Sequence, residues 1–218
     1  VNSNWFKYIT HYLPVIRRAH HLLLIIIMLN KKFWQGVLQG QTEYDISRRK
    51  IIGESSGALQ SAKQAIFALQ RDNKAEAEEK IKESKKGLIS LEERFGKDGK
   101  LRIEGAWKAA VEEYVEAKLF SDFIEGRKID GVEEFFVLPD EYIGGLSDLT
   151  GEIVRMMILW TTRGEIEKVK KASEVIDGII HELMQYNYGG YLRTKFDQAK
   201  RSLQKAQQIL YDLSIREK

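Results

Sequence analysis

Beyond residue 30 the apolar residues return every third or fourth position almost to the end of the chain, which predicts helices that each bury one face. The first seam runs through Ile52, Leu59, Ala62, Ile66 and Leu69 and stops at Asp72-Asn73. Asn73 followed three residues later by Glu76 is the signature of a capping box. A second seam then steps through Ile81, Ser84, Leu88, Leu91 and Phe95 before Gly96 and Gly99 close it. A third helix is predicted over about Leu101 to Ile124, followed by a loop at 126–138. Pro139-Asp140 marks the start of a fourth, which ends near Thr162-Arg163-Gly164. A fifth follows Ile166, Val169, Ser173, Ile176, Ile180 and Leu183. After a turn at Asn187-Tyr188-Gly189-Gly190, the last passes through Leu192, Phe196, Ala199, Leu203, Ala206, Leu210 and Leu213.

Composition agrees with this pattern. The 218 residues are 43% hydrophobic with only two prolines, enough for one sizeable core in an all-α, multi-helix bundle. No repeat or low-complexity linker divides it, so the expected organisation is an N-terminal extension, 1–30, and a helical domain, 31–218. The extension contains LLLIIIML at 22–29, eight unbroken apolar residues against the about 20 needed to cross a bilayer. An extra amphipathic helix and no membrane insertion is the expectation there. With no cysteine, disulfides, thiolate metal sites and cysteine nucleophiles are excluded, and a reducing, cytoplasmic setting is expected. The formal charge of +3 arises from 35 basic and 32 acidic residues, so any nucleic-acid surface must be local.

Candidate chemistry sits in two acidic pairs. Glu113 and Glu116 are three apart in EEYVEA, and Asp148 and Glu152 four apart in SDLTGE, so each pair can share a helix face. Carboxylates brought together repel unless a proton or cation intervenes. Four oxygen ligands without His or Cys suit Mg²⁺, with Mn²⁺ as the alternative, better than zinc or iron. The surrounding Tyr114, Val115, Ala117, Leu149, Ile153 and Val154 are apolar, and Gly144, Gly145 and Gly151 are small enough for close approach of another backbone or a ligand. Spacing alone leaves two readings open, a metal site or exposed acids paired with nearby lysines. The four histidines have no ligand spacing with the acids, and the Glu-x-x-His signature of di-iron bundles is absent.

The segment YIGGLSDLTGEIVR, Tyr142 to Arg155, closely resembles the signature of the translin family, particularly its translin-associated factor X branch. EEYVEAKLF at 112–120, SAKQAIFALQR at 61–71 and the more translin-like YDLSIR at 211–216 extend the resemblance, in order, over about 46–216. It implies a helical-bundle subunit of a closed, barrel-like homo-oligomer, with an octamer favoured, that encloses RNA or single-stranded DNA. It also implies that Glu113, Glu116, Asp148 and Glu152 form the catalytic, Mg²⁺-binding quartet of an endoribonuclease acting on single-stranded or unpaired RNA. Lys63 matches a family lysine near the active site, whereas Gln64 and Gln70 stand where that branch tends to have Arg and His.

Further nucleic-acid contacts are expected from Arg48, Arg49 and Lys50, the densest basic cluster, and from Arg155, one turn beyond Glu152. Each of these could equally be a solvated charge, and Arg155 could pair with an acid. Two other functions compete. One is a noncatalytic RNA- or DNA-binding shell, which would gain nothing from clustered carboxylates. The other is an all-α nucleoside triphosphate pyrophosphohydrolase, which also sets Glu-x-x-Glu pairs on bundled helices but typically adds Glu-x-x-Asp, unlike the Asp148 to Glu152 spacing.

Overall fold

A computed structural model describes residues 13, 15, 17–19 and 29–216. The apolar run at 22–29 therefore lies almost wholly outside the described residues. Among those described, all regular structure is helical: α1 (Lys31–Gln70), α2 (Lys74–Phe95), α3 (Gly99–Arg102), α4 (Gly105–Ile124), α5 (Pro139–Thr162), α6 (Ile166–Leu183) and α7 (Gly190–Arg216). None of the described helices is long and apolar enough to cross a membrane. The chain divides into two compact units, Val1–Arg48 and Arg49–Lys218. In the first, the described part of α1 shows Phe33, Trp34, Val37 and Leu38 to solvent.

In the second unit α5 is the central element, packed against α4, α6 and α7, while α2 packs on α4. Its buried Leu149, Ile153, Val154 and Met157 follow the three-and-four spacing of a helix sunk into a core. Pro139 opens α5 at a position where a missing N–H costs nothing, and the Glu141 carboxylate accepts the Leu138 N–H at 2.8 Å. The buried face of α1 is Ile51, Ser55, Ala58, Ala62, Ala65, Ile66, Ala68 and Leu69, so the expected Ala62, Ile66 and Leu69 are buried while Ile52 and Leu59 are only half-buried. Its middle is small at Ala58, where α2 approaches closely, a Cβ built on Gly87 lying 3.3 Å from that of Ala58.

The expected third helix is two helices. Asp98 caps α3, accepting from the N–H groups of Lys100 at 3.0 Å and Leu101 at 3.2 Å, and the chain breaks at Ile103-Glu104 before α4 begins. The break accompanies burial of Arg102, whose guanidinium donates to both oxygens of buried Glu141 at 2.7 and 2.8 Å and to the Phe136 carbonyl at 3.0 Å. Trp107 is fully buried beneath it, 5.0 Å from ring centroid to guanidinium. Residues 125–138 are non-helical, as the turn signals indicate.

Candidate functional site

The acid-bearing helices are α4 and α5, and what sets their separation is the Gly144-Gly145 pair. A Cβ on Gly145 would lie 2.7 Å from the Glu112 carbonyl oxygen and 2.8 Å from Val115, so only glycine lets α5 come this close. A Cβ on Gly144 would run into the Glu112 carboxylate. Gly151, by contrast, faces open space.

This approach gathers the predicted quartet. Glu116 is 8% exposed, and burial, reinforced by the charges of Asp148, Glu113 and Glu152, pushes its carboxyl up to about 9. Burial also raises Glu113, with Asp148 adding to the shift and Lys63 and Lys195 opposing it. Asp148 and Glu152 are raised as well, chiefly by burial. All four therefore share one underneutralised patch rather than lying on a solvated face.

Protein groups hold part of that charge. The Lys195 ammonium, carried by the first turns of α7, pairs with Asp148 and, at 2.5 Å, with Glu112. Tyr191 donates its hydroxyl to the same Glu112 carboxylate at 2.6 Å. Burial alone would lower Lys195, but its hydrogen bonds to Asp148, Glu112 and Tyr191 outweigh that and raise it. On the other side, Gln70 donates its amide to Glu152 and accepts from Arg155 at 3.5 Å, while Arg155 Nε lies 3.6 Å from Glu152. Glu112, Lys195 and Tyr191 escaped the sequence reading. Glu112 adjoins Glu113 in EEYVEA, but nothing in the sequence pairs Lys195 with an acid 47 positions away.

Glu113, Glu116 and Glu152 open with Lys63, Gln70 and Arg155 into a cleft of about 190 Å³. Lys63 is exposed at its mouth, and Phe67, also exposed, forms an apolar edge. Among the described residues no three Asp, Glu or His side chains are arranged so as to hold a metal ion. The turning of Asp148 towards Lys195 and of Glu152 towards Gln70 accompanies this. The donor set still fits a hard cation: a carboxyl pushed to about 9 by burial, with neighbouring acids adding to it, is one that a divalent ion would ionise. Arg48, Arg49 and Lys50 are exposed on α1 and do not line the cleft. Lys63 lies thirteen positions beyond Lys50 on the helix, roughly 20 Å of rise.

Fold and site together define an all-helical bundle whose facing helices present an acidic cleft edged by Lys63 and Arg155. Residues 47–217 match the translin family, and the chain belongs to it. It is 24% identical to the translin-associated protein X of Rattus norvegicus over 232 aligned positions, covering 87% of this chain and 79% of that protein. Three solved structures share the fold, each covered over 97% of its length by 84% of this chain. They are AfC3PO (TM-score 0.77, 18% identity), apo-NeC3PO (0.74, 22%) and AfC3PO in complex with duplex RNA (0.74, 17%).

Proposed function

We propose that the protein is a divalent-metal-dependent endoribonuclease that cleaves single-stranded or unpaired RNA. The observation that supports this most is the convergence of Glu113, Glu116, Asp148 and Glu152 around one buried carboxyl, beside a cleft edged by Lys63 and Arg155. Glu113, Glu116, Asp148 and Glu152 would hold Mg²⁺, or Mn²⁺ in its place. When bound, the ion supplies positive charge against the phosphodiester oxygens and acidifies water for attack on phosphorus. Lys63 and Arg155 receive phosphates at the edges of the cleft, where their charge offsets that of the backbone. Glu113 lines the same cleft, its carboxyl raised above the ordinary range chiefly by burial, with Lys63 opposing. Gln70 and Lys195 act on the acids themselves, fixing Glu152 and Asp148 by hydrogen bonds.

The cut would take place within a closed homo-oligomeric shell, an octamer by family resemblance. The exposed apolar positions Phe33, Trp34, Val37 and Leu38 on the first half of α1 support association. RNA as ligand is supported by the RNA complex of AfC3PO and by the local cationic groups. A noncatalytic RNA- or single-stranded-DNA-binding shell is the second reading, favoured by the Lys195 ammonium, which already offsets part of the charge of Asp148.

The test is incubation of a labelled single-stranded RNA with purified protein in Mg²⁺, Mn²⁺ or chelator, beside Glu113→Ala and Asp148→Ala, with a nucleoside triphosphate as control. Internal cuts that need metal and fall at least a hundredfold (~3 kcal/mol of barrier) in both variants are expected. Binding without cutting would establish the shell, and hydrolysis of the triphosphate alone would establish a pyrophosphohydrolase.

A further inference from the structure

A second and larger cavity, about 310 Å³, opens where the end of α1 meets α4, α5 and α6. Its volume falls at the lower end of the range for small-ligand pockets, about 300–1,000 Å³. Leu69, Phe123, Met156 and Trp160 give it apolar walls, Phe123 and Trp160 lying 6.0 Å apart between ring centroids. Four cations and one acid, Asp72, also line it. Lys168 and Arg163 are both engaged by Glu165, and Lys168 also lies 5.7 Å from the Trp160 ring. Lys74 and Lys171 are exposed and have no acidic partner among the described residues. Lys74 is set there by the turn after α1, where Asp72 takes the left-handed backbone (φ 62°) and Asn73 caps α2.

The cavity is joined to the acidic cleft through Gln70, which lines both. Apolar walls with two unpaired ammonium groups fit a ligand with a flat, weakly polar part and an anionic part, adjoining another phosphate in the neighbouring cleft. A nucleotide within an RNA strand has that composition. Resting on the endoribonuclease reading, we propose that this cavity is a flanking-nucleotide subsite. It takes the unpaired base next to the phosphodiester in the cleft, with Lys74 and Lys171 on its phosphate. Because the walls offer shape and aromatic contact rather than a matched set of hydrogen bonds, the subsite selects for an unstacked base and is tolerant of its identity.

The experiment uses the full chain in chelator, so that binding is read apart from cutting. A single-stranded oligouridylate carrying 4-thiouridine is irradiated with the protein and the adducts are mapped by peptide sequencing. Adducts on the segments holding Phe123 or Trp160 are expected, reduced about tenfold in the Lys74→Glu/Lys171→Glu variant, with the salt dependence of binding shallower by about two ions. Adducts confined to other segments, or adducts there that the double variant leaves unchanged, overturn the subsite. The wild-type map does not depend on how the variant folds. Cleavage of the same oligonucleotide in Mg²⁺ is scored separately: crosslinking at Trp160 without cutting keeps the subsite and discards the nuclease, and cutting with crosslinks only elsewhere does the reverse.

Discussion

Glu116 is the residue on which the electrostatics of the site turn. Its carboxyl is raised from 4.5 to about 9, so between those values the folded chain holds a proton that the unfolded chain has released. Stability must therefore fall as pH rises through that window, be unaffected by Glu116 below it, and carry the full penalty above it. Integrated to pH 7 at about 1.36 kcal/mol per unit, the penalty is roughly 3 kcal/mol. Thermal melts in chelator should show the wild-type midpoint dropping from pH 5 to pH 8. Glu116→Gln should melt with a much flatter pH profile and be the more stable of the two at pH 8. Equal slopes for both proteins would mean that Glu116 is solvated and the patch is not underneutralised. The raised values of Glu113, Asp148 and Glu152 act in the same direction, so the variant retains some slope.

At the scale of elements, the distance between α4 and α5 rests on one missing side chain. Gly145→Ala must displace the Glu112 carbonyl or Val115, and overpacking of this kind costs about 1–3 kcal/mol, more than the ~1 kcal/mol that alanine gains in a helix. Gly151→Ala meets no atom, is exposed, and should stabilise the same helix by about 0.5–1 kcal/mol. Urea denaturation of the two variants should move in opposite directions. Matching shifts would sink the account of close approach. The Gly-Gly step and the acid spacing were both legible, because each is a local pattern: Gly144-Gly145 and Asp148-x-x-x-Glu152 lie within one helix. The starts of α2 and α5 were legible for the same reason, since Asn73 and Pro139 act on their own first turns. The split of the third helix was not, because it belongs with the reach of Arg102 to Glu141, a partner 39 positions on. Lys195 was hidden likewise: its spacing on α7 is that of any helix lysine, and only the packing of α7 on α5 brings it to Asp148.

For the molecule as a whole, the proposed assembly can be tested on the first half of α1. Phe33 and Trp34 stand one turn from Val37 and Leu38, an exposed stripe that charge should disrupt. Trp34→Glu/Leu38→Glu is expected to lower the mass measured by multi-angle light scattering without loss of helical circular dichroism, whereas an unchanged mass would place the association elsewhere.

The Lys195 contact gives the last helix a further meaning. Because one ammonium spans Asp148 on α5 and Glu112 on α4, and Tyr191 closes on the same Glu112, the first turns of α7 are held by two acids, one of which, Asp148, belongs to the proposed ligand set. A cation held at Asp148 is expected to compete with the Lys195 contact there, while the contacts of Lys195 and Tyr191 to Glu112 persist. Amide exchange along 190–196, measured in Mg²⁺ and in chelator, is expected to be faster with the ion, and equal exchange would mean that the first turns of α7 do not sense the patch.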